Sequence, residues 1–271
     1  MTATTIREST RAHVRELIID RPKVRNAFDN ATYLALADAL KRAEADETAR
    51  VIFLYGAGEH FSAGQDLSEM SSMPTAPAQD QTQGQTQDQT QGEPQNEIGF
   101  ERLLDQLVAT EKPIVTAVRG SAIGLGTTML LHTDVNFIGD DARLRCPFVL
   151  LGVVPEAGSS YLLVQRLGYQ RTAEFLFTGR AMSGEEAVAA GIGIAVLPAH
   201  EVIDRARSFA ETIAKGPPNS LKLTKRLLRA ADKDAIAAAR AREIEGFKIQ
   251  LGSPENNEAI RAFFEKRAPR F

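Results

Sequence analysis

The sequence has little of what disulfide frameworks, metal centres and membrane spans require. Its 271 residues include one cysteine, Cys146, which excludes an intrachain disulfide framework. The four histidines are scattered along the chain, and with a single thiol they form no recognisable metal-ligand cluster. No apolar run reaches the roughly 20 residues that cross a bilayer, and the first residues lack a signal-peptide core. We therefore expect no metal and no membrane span, and a cytoplasmic location by default.

The charge balance gives no reason to expect a nucleic-acid partner. The chain carries 32 basic and 35 acidic residues, a formal net charge of -3, and its basic residues are spread among acidic ones. With 43% hydrophobic and 25% charged residues, the composition is that of an ordinary globular protein. A chain of this length can also bury a substantial core.

Strand and helix patterns alternate through the first part of the chain. Apolar runs at 14–20, 51–55 and 114–118 read as strands, and Asp29 or Asn30 can cap a helix between the first two. Further short strands are predicted at 135–138, 143–147 and 192–197, and Ser183 forms a capping box with Glu186. Strand, helix and buried strand in succession predict βαβ units and a parallel sheet, hence an α/β fold.

The last part of the chain is predicted to be helical. Helical patterns cover 202–214, 220–231, 235–251 and 255–266. We therefore divide the chain into an α/β core over residues 1–200 and a helical C-terminal region over residues 201–271.

The composition changes sharply between about residues 71 and 97. Glutamine alternates there with threonine, aspartate and glycine, and no aromatic, Ile, Leu or Val occurs before Ile98. Such a stretch buries too little surface to offset the entropy of ordering it. Because the βαβ pattern resumes afterwards, we interpret it as a flexible insertion within the core.

A glycine-rich junction follows the strand at 114–118. Gly120, Gly124 and Gly126 allow sharp bends, and a helix that begins near Gly126 leaves its first N–H groups without intrahelical partners. Such amides can hold a developing negative charge, although a tight strand-to-helix turn explains the same residues. A dinucleotide-binding fingerprint is excluded because Met129 occupies its third glycine position.

Glu156 is the acidic residue whose position admits two explanations. Pro155 suits the first position of a helix, which would place Glu156 in the first turn of that helix. An acid there complements the helix dipole by about 0.3–1 kcal/mol. Position alone does not separate this structural role from a catalytic one.

Five segments occur in an order that is specific when they are taken together. They are Arg21-Pro-Lys-Val-Arg-Asn-Ala27, Phe61-Ser-Ala-Gly-Gln-Asp-Leu67, Lys112-Pro-Ile-Val-Thr-Ala-Val-Arg-Gly-Ser-Ala-Ile-Gly-Leu-Gly126, Leu151-Gly-Val-Val-Pro-Glu-Ala-Gly158 and Ala262-Phe-Phe-Glu-Lys-Arg267. Through these segments the chain resembles, between about Val14 and Phe271 and apart from the insertion, the crotonase family of enoyl-CoA hydratases and isomerases.

The resemblance implies a fold, a ligand and an assembly. It implies a spiral of ββα units and a homotrimer or dimer of trimers formed through the helical C-terminal region. The implied substrate is an acyl-CoA thioester, and no cofactor is expected because coenzyme A is part of this substrate. The resemblance also implies that the backbone N–H groups of Gln65 and Leu125 hold the thioester oxygen. The coenzyme A moiety is expected along Lys23, Val24, Ala27, Ala63, Asp66 and Leu67, with Lys266 reaching a neighbouring subunit's ligand.

Two departures from the family pattern concern the acid-base groups. Hydratases of the family carry two glutamates, and Thr128 and Phe148 occupy the corresponding positions here. Activating water and protonating C2 of a 2-enoyl thioester needs such carboxylates. Glu156 instead resembles the single catalytic carboxylate of Δ3,Δ2-enoyl-CoA isomerases, which suffices for a double-bond shift. The resemblance therefore favours an isomerase with Glu156 as its acid-base group.

Two other functions fit the same residues. One is a hydratase-like or other crotonase reaction in which Glu156 acts alone, assisted by Thr128 or by His132 one helical turn further along. The other is a non-catalytic acyl-CoA-binding protein that uses the insertion to bind a partner. Thr128, His132 and Phe148 are the expected additional residues of the pocket.

Overall fold

The computed structural model describes residues 5–70 and 95–271 of the chain. The predicted insertion at 71–97 lies outside the described residues except for its last three, which belong to a helix beginning at Gln95.

A six-stranded sheet forms the centre of the fold. Its strands are β1 (Ile6–Arg11), β2 (Val14–Ile19), β3 (Val51–Gly56), β4 (Ile114–Val118), β6 (Val135–Gly139) and β9 (Ala195–Leu197), in that spatial order. Only β1 runs antiparallel to its neighbour, and the remaining pairs are parallel. A smaller sheet contains β5 (Ser121–Ile123), β7 (Arg143–Arg145) and β8 (Met182–Ser183). The predicted α/β class with a parallel sheet is confirmed, whereas β1, β5 and β8 had no recognised sequence signal.

Helices cover the central sheet on both faces, and this explains the continuous apolar runs of its strands. In β3, Ile52 and Leu54 face the core on the side of α1 (Asn30–Ala45) and α3 (Gln95–Ala109). Val51 and Phe53 face the other side, where α8 (Val202–Ile213) packs. Because α8 completes this second core, the helical region that begins at residue 201 is structurally continuous with the sheet.

Short elements connect the sheet to the C-terminal helices. They are α2 (Leu67–Met70), α4 (Leu125–Thr128), α5 (Ser159–Leu167), α6 (Tyr169–Thr178) and α7 (Gly184–Ala189), with 3₁₀ turns at Pro22–Val24, Met129–Leu131 and Val149–Leu151. The helix at the glycine junction begins at Leu125, close to the predicted start near Gly126, and is one α-helical turn followed by a 3₁₀ turn. Three helices complete the chain: α9 (Pro218–Ala230), α10 (Lys233–Gln250) and α11 (Pro254–Phe264).

Two helix starts match the predicted caps. The Asp29 side chain accepts a hydrogen bond from the Thr32 amide at the start of α1. Ser183 and Glu186 form the reciprocal capping box at the start of α7. Both predictions are confirmed, since local side-chain chemistry is sufficient to begin a helix.

Candidate active site

Two glycine turns lie against each other beside the small sheet. Residue Ser62 pairs with Ala122, and its backbone exchanges hydrogen bonds of 2.9–3.0 Å with Ser121 and Ile123. Gly64 has a positive φ of 80°, and a Cβ atom there would lie 2.4 Å from the Ile123 carbonyl oxygen. Only glycine permits this approach. It brings the residue after Gly64 close to the residues after Ile123.

The amides of Gln65 and Leu125 are the groups that this approach brings together. Gly124 precedes α4 with φ 54° and ψ -121°, a conformation that only glycine adopts readily. Leu125 is the first residue of α4, so its N–H group has no intrahelical acceptor. In the described part of the chain neither of the two amides has a hydrogen-bond acceptor. Both residues line one cavity, so the two donors are available to a ligand oxygen.

This cavity has a volume of about 600 Å³ and a largely apolar wall. Its size is in the range of small-molecule sites. The apolar lining comes from α3, from the glycine junction, from the 147–153 segment and from the C-terminal helices, and includes Leu104, Pro147, Phe148, Leu151, Ile244, Phe247 and Phe263. The polar and charged residues of the wall are Arg25, Tyr33, Gln65, Glu101, Arg145, Glu156, Arg240, Glu243 and Arg267.

Glu156 lies in a turn that precedes α5, and the predicted helix start at Pro155 is wrong. The helix begins at Ser159, because Ala157 and Gly158 both have positive φ values, 60° and 70°. Two consecutive left-handed residues cannot belong to a right-handed helix. The reversal presents Glu156 to the cavity instead of using it in the first helical turn.

The surroundings of Glu156 favour its neutral form. The pKa of this carboxyl is raised from 4.5 to about 8, mainly by burial and then by the negative charges of Glu243 and Glu101. The Thr128 hydroxyl, 3.4 Å from Glu156 Oε1, opposes this shift by donating a hydrogen bond. A carboxyl with a pKa in this range can both take up and return a proton near neutral pH.

The three additional residues expected in the pocket have different positions. Phe148 lines the cavity. Thr128 and His132 are both buried and, contrary to expectation, neither of them lines the wall. The Thr128 hydroxyl lies 3.4 Å from Glu156 Oε1, and His132 is 2% exposed. Its Nε2–H group donates to the Ala157 carbonyl oxygen at 2.7 Å, and burial lowers its pKa to about 4. His132 therefore stabilises the turn as a neutral imidazole.

The segment expected to contact coenzyme A lies at one side of the cavity. Ala63 and Leu67 line the wall, and Lys23 and Val24 are exposed on the neighbouring 3₁₀ turn. Ala27 is buried, and Asp66 forms a 3.5 Å ion pair with Arg21. Lys266 is exposed near the C-terminus, between the cavity residues Phe263 and Arg267. Their contacts with coenzyme A stay a prediction.

Several polar residues of the wall were not predicted from the sequence. Tyr33 is buried in α1 and donates its hydroxyl to Gln65 Oε1 at 2.6 Å. Arg240 on α10 forms ion pairs with Glu101 and Asp105 at 2.6 and 2.8 Å. The spacing of these residues within their helices is like that of any surface or core position. No local pattern in the sequence distinguishes them.

The high pKa of Glu156 also predicts an effect on stability. Between pH 4.5 and about 8 the folded protein retains a proton that an unfolded chain releases, so the free energy of unfolding falls as pH rises through this range. Glu156→Gln carries no titrating carboxyl, so it is expected to be more stable than the wild type at pH 8.5, by roughly 1 to a few kcal/mol. At pH 5 the two should unfold alike. Urea unfolding at both pH values tests this, and equal differences at the two pH values would contradict the assignment.

In the described residues, no helix is long and apolar enough to cross a membrane, and no group of three or more His, Cys, Asp or Glu side chains is placed as metal ligands.

Known proteins resemble this chain over nearly its whole length. The family model described as enoyl-CoA hydratase/isomerase matches residues 9–271. The 2,3-dehydroadipyl-CoA hydratase of Escherichia coli is 30% identical over 97% of this chain and 96% of its own. The enoyl-CoA delta isomerase 2 of Rattus norvegicus is 29% identical over 94% of this chain and 62% of its own. Relatives named as hydratases and relatives named as isomerases therefore both match this chain.

A solved structure extends the similarity to the whole fold. The enoyl-CoA hydratase/isomerase from Pseudoalteromonas atlantica has a TM-score of 0.85 and 36% sequence identity. The match covers 98% of this chain and 99% of that one. The spiral α/β architecture implied by the sequence motifs is thereby confirmed.

Proposed function

This chain belongs to the enoyl-CoA hydratase/isomerase family of acyl-CoA-processing enzymes, and we propose that it shifts a 3-enoyl-CoA double bond to the 2-enoyl position. One observation carries the proposal. Among the described residues that line the cavity, Glu156 is the carboxyl with neither a backbone amide nor an ion-pair partner, and its one hydrogen bond comes from Thr128. The two unpaired amides line the same cavity. The positions where family hydratases are expected to carry glutamates hold Thr128 and Phe148.

The proposed reaction needs one group that moves a proton and one site that holds an oxygen. The Glu156 carboxylate removes a proton from C2 of the 3-enoyl thioester, and the electron pair of that bond moves toward the thioester carbonyl. The amides of Gln65 and Leu125 donate to the resulting dienolate oxygen. The same carboxylic acid then returns the proton to C4, which leaves the double bond between C2 and C3 and restores the carboxylate.

The apolar wall supports this chemistry. Water that entered the cavity would compete for the dienolate and would weaken the electrostatic effect of the two amides. Phe148 contributes an aromatic ring to the lining, at a position where a family hydratase is expected to present a second carboxylate. Assembly as a homotrimer or dimer of trimers, implied by the resemblance, and a cytoplasmic location both stay predictions.

Water addition to a 2-enoyl-CoA is the second candidate, and two further acids on the cavity wall favour it. Glu101 and Glu243 both line the cavity, and the Escherichia coli relative is named as a hydratase. However, Glu101 is paired with Arg240 at 2.6 Å, and both Glu243 oxygens accept backbone N–H groups. An acid held in this way is less available to activate water.

Separate incubation with 3-enoyl-CoA and 2-enoyl-CoA distinguishes the two candidates. We expect the 3-enoyl substrate to gain the ultraviolet absorbance of a conjugated thioester at an enzymatic rate. The 2-enoyl substrate should show no comparable formation of 3-hydroxyacyl-CoA, measured by chromatography. Rapid water addition without a double-bond shift would reject the isomerase proposal in favour of the hydratase.

A further inference from the structure

A carboxylate on α10 supports the turn that carries Glu156. Glu243 Oε2 accepts the Gly158 amide at 2.6 Å, and Glu243 Oε1 accepts the Ser160 amide at 2.8 Å. The two partners are separated from Glu243 by more than 80 residues in the sequence. Glu243 is only 6% exposed, and its remaining surface contributes to the cavity wall. The Glu243 carboxylate therefore holds the backbone two and four residues after the proposed acid-base group.

These hydrogen bonds replace a cap that the local sequence does not supply. Gly158 precedes α5 and has no side chain that could accept from the first amides of the helix. A carboxylate at a helix N-terminus also complements the helix dipole. On the other side of the turn, His132 donates to the Ala157 carbonyl oxygen at 2.7 Å. The turn between Glu156 and Ser160 is thus held from two directions by side chains of other elements.

We propose that Glu243 is a positioning residue for the double-bond shift: it holds the Glu156 turn against the cavity and places a second negative charge beside the acid-base group. This inference rests on the proposed function where it concerns turnover. Glu243 lies on α10, and none of the sequence segments that resemble the family includes it. Glu243→Gln removes the charge and Glu243→Asp retains it, so a comparison of the pH midpoints of these two variants isolates the effect of the charge.

Several other titratable groups lie around Glu156 and Glu243. They are Glu101 on α3, whose charge adds to that of Glu243; Tyr33 on α1 and Cys146 after β7, both buried and themselves affected by Glu156; Arg240 on α10, paired with Glu101 and Asp105; and the neutral His132. Arg240 is engaged by two acids, so its charge is largely compensated. Of the acids around Glu156, Glu243 affects its charge most.

A second negative charge serves the reaction by strengthening the base. Removing a proton from C2 is easier for a carboxylate with a high proton affinity, and a neighbouring anion increases that affinity. The same anion disfavours the ionised resting state, so the enzyme should reach full activity only at mildly alkaline pH. Neutralising Glu243 should therefore make the base weaker but ionised at lower pH.

Glu243→Gln removes the anion and preserves the size of the side chain, although its single amide oxygen can accept from only one of the two backbone N–H groups. We expect the midpoint of the rise of kcat/KM with pH to move roughly one pH unit lower. At pH 9, kcat for 3-enoyl-CoA should fall about 10-fold, with KM within roughly threefold of the wild type. Glu243→Asp keeps the charge but withdraws it from the amides. It should lower kcat and leave the pH midpoint in place.

Glu245→Gln is the matched control, since Glu245 lies on the same helix with a 75% exposed side chain. It should match the wild type in both kcat and pH midpoint. An unchanged midpoint in Glu243→Gln, or an equal shift in Glu245→Gln, would overturn the electrostatic part of the proposal. If Glu243→Gln does not fold, an unaltered kcat in Glu243→Asp overturns the positioning part.

Infrared spectroscopy separates this inference from the proposed function, because it needs no turnover. The carbonyl stretch of the protonated Glu156 carboxyl can be assigned by its absence in Glu156→Gln and followed against pH. In Glu243→Gln this band should disappear at lower pH than in the wild type. If the wild type has no isomerase activity but the band still disappears at lower pH in Glu243→Gln, the proposed reaction is rejected and the effect of Glu243 on Glu156 is retained. Identical titrations would reject that role.

Discussion

Glu156→Gln is expected to lower kcat for the 3-enoyl to 2-enoyl shift by roughly 10³-fold. The amide cannot accept the C2 proton, and the remaining acids of the cavity, Glu101 and Glu243, are held by Arg240 and by backbone amides. Binding depends on the wall and the two unpaired amides, so affinity for a saturated acyl-CoA should change little. Steady-state kinetics and calorimetric titration measure the two quantities.

The pH dependence of the residual activity is a second readout for this variant. In the wild type, kcat/KM should rise with pH through a midpoint near 8, because the base must lose its proton before it can act. In Glu156→Gln this limb should be absent. A variant that retains wild-type kcat, or the same limb at reduced rate, would remove Glu156 from the mechanism. Glu245→Gln, on the exposed face of α10, should preserve both.

Gly124→Ala is expected to lower kcat by about 10²–10³-fold through loss of one oxyanion donor. Gly124 precedes Leu125 at φ 54° and ψ -121°, so an alanine must change the backbone that orients the Leu125 amide. A Cβ atom there would meet no protein atom within 4 Å, so the effect comes from backbone conformation rather than from a clash. A methyl group that merely obstructed the acyl chain would raise KM and leave kcat unchanged.

Gly168 offers a matched control for this substitution. It also has a positive φ, 76°, and a Cβ atom added to it would likewise meet no protein atom within 4 Å. It lies between α5 and α6, away from the cavity wall. Gly168→Ala should therefore reproduce the strain, on the order of 1–2 kcal/mol, without the loss of kcat. Equal kcat losses in both variants would show that destabilisation, and not the Leu125 amide, accounts for the effect.

Much of the central fold followed from sequence because local and global signals agree there. β3 and β4 are buried on both faces, and a strand covered on both sides must be apolar at successive positions. Asp29 and Ser183 begin helices through side chains that bond to amides three residues away. In contrast, β5 and β8 span only three and two residues, too short for any period to be visible.

The site likewise contains some features that follow from local sequence and others that depend on the tertiary structure. The sequence by itself determined the glycine junction before Leu125 and the acidic residue Glu156, because glycine turns and residue type are local properties, whereas the Gln65 amide was expected only from the family resemblance. Only the tertiary structure decided that Glu156 lies before α5, that His132 supports the turn away from the cavity, and that Glu243 holds the same turn from α10. The hydrogen bond of His132 joins residues that are 25 positions apart, and those of Glu243 join residues that are more than 80 positions apart. Such bonds depend on how the helices pack, and no spacing along the chain encodes them.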